Sequence, residues 1–434
     1  MISRDNARKA PDTGPDRAYV WIWLPGQTRP VVAGLLVRDN GQLVFNYGQS
    51  YLARREAMPI HEPELPLIPG ALPLLSGLSM PGALRDAAPD AWGRRVILNR
   101  KFGVKRDAVN IDQLDELTYL LASGSDRIGA LDFQASPTSY TPRQTQSTSL
   151  AELLDAARRV EAGIPLNPEL DEAFLHGSSI GGARPKAMIE DHGKKYIAKF
   201  ASQNDVTRVV KTEFIAMRLA EKIGLSVAPV ELLNVAGKDV LLIERFDRLH
   251  KPEGWARKAM VSALTLFGLD ELMARHASYE TLAEIIRHRF AHPGRSLREL
   301  YGRMVFNILC GNTDDHARNH AAFWDGKSLA LTPAYDICPQ NRTGRAATQA
   351  MLIDGGNRSS QLRVCLAAAA KFHLSQNAAA EIMAWQVAAI KENWQPLCDE
   401  ATLGAVDRNM LWRRQFLNPF AFEGLPENLA GLEG

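Results

Sequence analysis

The earliest ordered pattern in the chain is extended rather than helical. AYVWIWLP (18–25) concentrates aromatic and branched residues, which fit a pleated, half-buried surface better than a helix. VVAGLLV (31–37) and QLVFNYG (42–48) flank Asp39-Asn40-Gly41, so the two runs predict a hairpin closed by a turn of positive φ. From Pro59 to Pro81 the chain carries too much proline for helix or ladder. Helical spacing follows in DAWGRRVILNRKFG (90–103) and DQLDELTYLLASG (112–124), each ended by glycine. Residues 1–17 offer nothing to bury and predict a disordered tail. The Ser, Thr, Gln and Pro of residues 135–149 predict a linker.

Beyond residue 149 the pattern changes. A helix (149–162) leads to the glycine-containing loop GSSIGGARPK (177–186), and the strand-like segments AMIED (187–191) and KKYIAKF (194–200) follow. An amphipathic helix over about 207–223 ends at Gly224, and two further strands, APVELLNV (228–235) and DVLLIERF (239–246), are joined at Gly237. From residue 255 onward the pattern is mostly helical. Leu297, Leu300, Tyr301, Met304, Val305 and Ile308 form an i, i+3, i+4, i+7 stripe, and Ala-rich amphipathic segments occupy 362–373 and 376–394. Residues 150–434 thus predict a β-rich lobe (150–250) followed by a helical lobe (251–434), with a smaller β-rich unit (18–134) ahead of them.

Composition narrows the class. A chain of 434 residues with 46% hydrophobic and 23% charged positions buries a real core, which excludes disorder as its main state. Lys and Arg number 51 against 49 Asp and Glu, a net charge of +2, so no global field draws it to nucleic acid or membrane. Cys310, Cys338, Cys365 and Cys398 form no CxxC pair, which removes zinc ribbons and thioredoxin motifs and suits a reducing compartment. The polar N-terminus and the absence of a long apolar run point to a cytoplasmic protein with no membrane association.

The strongest chemical signal is GNTDDHARNHA (311–321). Gly311 stops the preceding helix, and the loop then carries Asp314, Asp315, His316 and Asn319. Asp336 follows in LTPAYDIC, 22 residues after Asp314. Phosphoryl transfer on Mg²⁺ needs these parts: one carboxylate to take the proton of the attacking hydroxyl, and an Asn and a second Asp as hard oxygen ligands. His316 and His320 have the spacing of a zincin pair, but Ala317 stands where that motif needs its Glu. Lys199 lies in an apolar strand where a lone ammonium is costly, and Glu213 borders the apolar face of the next helix. The two are either a phosphate-holding pair or unrelated surface charges. GSSIGGARPK is neither a Walker A sequence nor G-x-G-x-x-G; its glycines could cradle phosphate, but such a motif alone is more often an ordinary hairpin. ERFDR (244–248) reads as an adenine-facing segment or a connecting loop.

Taken in order, SSIGGARPK (178–186), YIAKF (196–200), ERFDR, GNTDDHARNH (311–320) and LTPAYDI (331–337) resemble the HipA-type toxin serine/threonine kinases. VFNYGQSYL (44–52), PELPL (63–67) and DRIGALDF (126–133) are similar to that family's N-terminal subdomain. The resemblance implies an α+β, kinase-like two-lobed core using ATP and Mg²⁺. It implies Asp314 as catalytic base and Asn319 and Asp336 as metal ligands. Gly181, Gly182, Ala183, Lys186, Lys199, Glu213, Glu244, Phe246, His316, Asn319 and Asp336 would contact nucleotide. Ser179 would be self-phosphorylated, although Arg184-Pro185 replaces the Gln-Glu of better-known members and Ser178 offers a second hydroxyl. Implied partners are a helix-turn-helix antitoxin of the HipB type, operator DNA through that antitoxin only, and an aminoacyl-tRNA synthetase as substrate. A small-molecule kinase and a weakly catalytic corepressor are the alternatives.

Overall fold

The computed structural model describes residues 14–102, 114–143, 149–162, 164, 166, 184–202, 208–342 and 344–433. Strands β1 (Arg17–Ile22), β2 (Val31–Asp39), β3 (Gln42–Tyr47), β4 (Ala71–Leu72) and β5 (Leu131–Gln134) make an antiparallel sheet in the order β4-β3-β2-β1-β5. Asp39 pairs with Gln42 across a two-residue turn. Asn40 and Gly41 there both have positive φ, 47° and 82°, the turn whose twist suits a hairpin. Alternate residues Ala18, Val20 and Ile22 of β1 and Leu43, Phe45 and Tyr47 of β3 are buried, so the sheet packs one face inward.

The linker expected at 135–149 is in part folded back onto this sheet. Tyr140 donates to Asp132 at 3.0 Å, and Arg143 donates to Asp132 at 2.9 Å and to the Phe133 carbonyl at 2.8 Å. Its Ser, Thr and Pro content marks irregular backbone, which a buried carboxylate nonetheless ties down.

The second unit begins with the helix Leu150–Glu161, closed by a capping box between Ser149 and Glu152. Strands β6 (Lys186–Asp191), β7 (Lys194–Phe200), β8 (Val230–Val235) and β9 (Lys238–Glu244) form an antiparallel sheet in the order β6-β7-β9-β8. The helix Val209–Lys222 packs on this sheet and against the long helix Gln376–Glu400. Residues after 250 are less purely helical than the pattern implies. A hairpin of β10 (Arg248–Lys251) and β11 (Gly254–Arg257) comes first, and β12 (Ala259–Ser262), β13 (Ala321–Trp324) and β14 (Leu329–Leu331) form a small sheet. Strands of three or four residues give too few positions for a period to show. The apolar stripe of the helix Pro293–Leu309 is fully buried, and Gly311 ends it at φ 72°. A Cβ there would meet the Gln415 carbonyl at 2.7 Å.

The N-terminal unit is not a separate bead. Its sheet shares one apolar core with the helical lobe, and Trp92 and Val96 of the helix Ala91–Phe102 join a second core under β6, β7 and β9. Between the units lies a buried clamp made of two motifs, DRIGALDF and ERFDR. Asp126 receives Arg245 at 3.2 Å, Arg248 at 2.8 Å and Lys195 at 2.6 Å. Asp247 receives Arg245 and Arg248, both at 2.8 Å, and the Gly129 N–H at 2.8 Å. The remaining guanidinium hydrogens go to carbonyls: Arg245 to Arg127 at 2.7 Å, Arg248 to Gly129 at 2.9 Å and to Arg127. Burial alone would raise both carboxyls. The surrounding cations outweigh it, holding Asp126 well below its ordinary range and Asp247 at about 2.

Candidate active site

Lys199 and Lys186 face each other across the β6–β7 ladder. Ala198 and Phe200 bury the strand around Lys199, so its ammonium needs partners at hand. It has two: Glu213 Oε1 at 2.6 Å and Asp336 Oδ1 at 2.5 Å. Glu213 is almost wholly buried, carried inward by the same helical face as Ala216, Met217 and Ala220. Asp336 has left-handed backbone, φ 58°, and its side chain keeps 41% of its surface open. Lys199 lowers the Asp336 carboxyl to about 2. Burial opposes the Lys199 charge, but Asp336 and Glu213 overcome it and keep the amine protonated beyond its ordinary range. Burial raises Glu213, partly offset by Lys199. Lys186 is pushed down to about 8 by burial and then by the Lys199 charge.

The helix Pro293–Leu309 delivers the second group. After it, Asn312 is pinned to Asn307 by its backbone at 2.8 Å and its side chain at 3.0 Å. The carbonyl of Asp314 accepts the His316 N–H at 2.9 Å and Asn319 Nδ2 at 3.2 Å, which sets a tight turn with the Asp314 side chain exposed. Asp315 is its opposite: buried, taking the Tyr279 hydroxyl and, at 3.1 Å, His320 Nε2. The two adjacent carboxylates thus differ completely in access. His320 is committed to Asp315 while His316 lines the cleft, so the two histidines do not form a zinc pair. Their i, i+4 spacing carries no such meaning off an α-helix.

A cleft of about 740 Å³ gathers Lys186, Lys199, Glu244, Phe246, His316, Asn319 and Asp336 along one surface. Asp314 lies on the same loop as His316 and Asn319 but not among the residues lining the cleft. In ERFDR the side chains alternate: Arg245 and Asp247 are buried in the clamp, whereas Glu244 and Phe246 are half-buried. Phe246 packs on Phe323 and Tyr335, and Glu244 pairs with Lys194 at 2.7 Å. The N–H groups of Glu244 and Arg245 are taken by the carbonyls of Pro229 at 2.9 Å and Lys195 at 2.8 Å. Ser179, Gly181, Gly182 and Ala183 lie outside the described residues.

Sequence reading did not single out the wall that the N-terminal unit supplies. Asp86 accepts the Ser262 N–H and hydroxyl, both at 2.7 Å. Asp90 pairs with Arg318 at 2.7 Å, and Arg318 also meets Glu271 at 2.5 Å. Tyr335 donates its hydroxyl to the Arg318 carbonyl at 2.7 Å. The one sequence signal was the four-residue spacing of Asp86 and Asp90, too common to interpret.

With this geometry in place, similarity to known proteins is informative. Residues 178–394 match the family described as the HipA-like C-terminal domain, and residues 22–134 match the HipA N-terminal domain. The chain belongs to the HipA family. One relative is the putative kinase Y4mE of Sinorhizobium fredii, 23% identical over 73% of this chain and 76% of that protein. Another is the serine/threonine-protein kinase toxin HipA of Shewanella oneidensis, 25% identical over 37% of this chain and 42% of that one. Among solved structures, HipA from the Shewanella oneidensis complex of HipA, HipB and operator DNA superposes with a TM-score of 0.69 at 19% identity. That match covers 95% of this chain and 99% of the other. The fold is therefore the α+β, HipA-type one, and the chain is a kinase by family. Among the described residues no helix is long and apolar enough to cross a membrane.

Proposed function

We propose that this HipA-family chain is an ATP- and Mg²⁺-dependent protein serine/threonine kinase and the toxin of a toxin–antitoxin pair. The observation that carries this reading is the placement of Lys199 between Glu213 and Asp336. A buried ammonium with two carboxylates, one of them open to the cleft, is suited to hold nucleotide phosphates. Lys186 adds a second positive group at pH below about 8. Glu244 and Phe246 frame the adenine end, where the carbonyls and the Phe246 ring do the recognising because the Glu244 N–H is already engaged.

The residues present fit a magnesium ion shared with the substrate. Asn319 uses its NH₂ on the Asp314 carbonyl, which leaves Oδ1 for a cation. Asp336 uses Oδ1 on Lys199, which leaves Oδ2. Among the described residues no group of three or more His, Cys, Asp or Glu forms a ready metal cage, and Mg²⁺ usually binds through one or two protein oxygens plus phosphates and waters. When bound, the ion would neutralise phosphate charge. Asp314, exposed and held by two donors to its own carbonyl, takes the proton from the acceptor hydroxyl. Glu213 fixes the height of Lys199.

Self-phosphorylation at Ser179 would add about −1.5 to −2 charge beside the loop proposed to cradle ATP, competing for Arg184 and Lys186 and switching the kinase off. The protein substrate belongs to translation, an aminoacyl-tRNA synthetase by family resemblance. The partner is a small helix-turn-helix antitoxin that carries the operator contacts, since a net charge of +2 gives the isolated chain little hold on phosphates. Incubation with radiolabelled ATP, alone and with lysate, tests this reading. Transfer that vanishes in Asp314→Asn supports it, as does growth arrest relieved by the antitoxin. Equal slowing of growth by wild type and Asp314→Asn would remove the toxin role.

A further inference from the structure

Arg85 ends the short helix Gly82–Arg85 in the N-terminal unit and lines the cleft. It is 9% exposed, and its Nε and Nη2 are buried without a hydrogen-bond partner. The other arginines of the cleft are all paired: Arg38 with Asp115, Arg94 with Glu116, Arg245 with Asp126 and Asp247, Arg318 with Asp90 and Glu271. Even the adjacent Asp86 turns its carboxylate to Ser262 instead. Among the described residues, Arg85 is thus the one arginine of the cleft with no carboxylate in ion-pair reach. A buried guanidinium keeps its full charge and presents several donors in a fixed fork, so a fork with two unfilled, buried donors at the wall of a cleft calls for an anion.

Its location says which anion. The segment that carries Arg85 is fastened to the C-terminal side of the turn that carries Asp314 and Asn319, through Asp90 to Arg318 and through Asp86 to Ser262, which pairs with Ala321. It belongs to a different unit from the sheet that presents Lys186 and Lys199. The N-terminal unit also lends Met80, Ala83, Leu43 and Ile60 to the lining of this cleft, apolar groups suited to an aliphatic stem. We infer that Arg85 is a specificity-determining residue on the acceptor side, taking the carboxylate of an Asp or Glu within a few residues of the phosphorylated Ser or Thr. This rests on the kinase reading above and adds the class of acceptor, an acidic peptide segment.

The test uses the full chain with Mg²⁺-ATP and a positional library of Ser/Thr peptides. Positions on either side of the hydroxyl are fixed in turn as Asp/Glu, Asn/Gln or Lys. One charge-assisted pair predicts a preference for Asp/Glu at one position on the order of ten- to a hundred-fold in kcat/KM. Arg85→Gln should flatten that preference, and Arg85→Glu should turn it toward Lys. Affinity for a fluorescent ATP analogue and the melting temperature should stay at wild-type values, since no partner of Arg85 is lost. Unchanged acidic preference in Arg85→Gln, or none in the wild type, overturns the inference. So does a loss of nucleotide affinity with acceptor selectivity intact, which would move Arg85 to the phosphates. If the wild type neither binds nucleotide nor transfers phosphate, the kinase reading fails. Fluorescence anisotropy of an acidic peptide and its Gln-substituted twin on both proteins would then still decide Arg85: equal binding of the pair sinks it.

Discussion

Two clusters of buried ion pairs in this molecule have nearly the same ingredients and opposite designs. In the clamp, Asp126 and Asp247 are surrounded by Arg245, Arg248 and Lys195, and the guanidinium forks close onto carbonyls of Arg127 and Gly129. Both arginines are about 1% exposed. In the cleft, Lys199 joins Glu213 and Asp336, but Asp336 stays 41% open and carries a strained left-handed backbone. A network whose donors and acceptors are all matched rigidifies and holds register. One left open on a single side can exchange a partner for a ligand. Charge in the interior is therefore not evidence of function; an unfinished coordination is.

The comparison can be broken at its strongest point by Asp314→Asn. An isosteric loss of the proposed proton acceptor should cut phosphoryl transfer by about 10²–10⁴-fold with no change in melting temperature, read by radiolabel transfer and calorimetry on one preparation. Asp315→Asn should behave differently, because it weakens a buried contact with Tyr279 and His320 at about 1–3 kcal/mol. If Asp315 proves the more damaging for transfer and harmless to stability, the assignment of the two carboxylates is reversed.

In the clamp the order of effects should invert. Asp126→Ala leaves Arg245, Arg248 and Lys195 without their shared carboxylate, and breaking such a buried pair costs about 3–5 kcal/mol. Urea unfolding should show that loss, while the fraction still folded binds nucleotide normally. A wild-type unfolding midpoint in Asp126→Ala would mean that the two units are held by their apolar core alone.

Glu213→Gln sharpens the contrast inside the cleft. It removes a carboxylate that is almost fully buried but keeps a hydrogen-bond acceptor for Lys199. Catalytic turnover should fall about tenfold as Lys199 loses its anchor, with a smaller cost in stability than at Asp126. An unchanged kcat would make Glu213 a filler of the core.

The smallest effect is a pH dependence. Lys186 is shifted from 10.5 down to about 8, so between those values the unfolded chain binds more protons than the folded one. Stability contributed at this site therefore rises with pH across that window. Nucleotide affinity should do the reverse, weakening as pH rises through about 8 while Lys186 loses its charge. Titration calorimetry with ATP from pH 6.5 to 9.5 would show the decline. Lys186→Arg should abolish it, and an equally steep decline in that variant would assign it to another group.

Local order was open to reading in the amino-acid sequence because it depends on near neighbours. The Asn40-Gly41 turn, the buried stripe of the helix before Gly311 and the strand around Lys199 all follow from spacing and side-chain type. The meeting of Lys199 with Glu213, 14 residues on and carried by the next helix, was one of two readings that spacing left open. Charges that find partners across the chain left no such trace. Asp126 and Arg245 are 119 residues apart, and nothing in DRIGALDF or ERFDR states that one motif closes on the other. ERFDR in isolation looked equally like a loop or a nucleotide edge; in the fold its side chains alternate, with Glu244 and Phe246 toward the cleft and Arg245 and Asp247 in the clamp. The linker composition of residues 135–149 likewise hid the attachment of Tyr140 and Arg143 to Asp132. Period and propensity act over a few residues and so set the elements. Which charges are neutralised, and which, like Arg85 in the cleft, are left unpaired, is decided by packing over distances that sequence spacing does not encode.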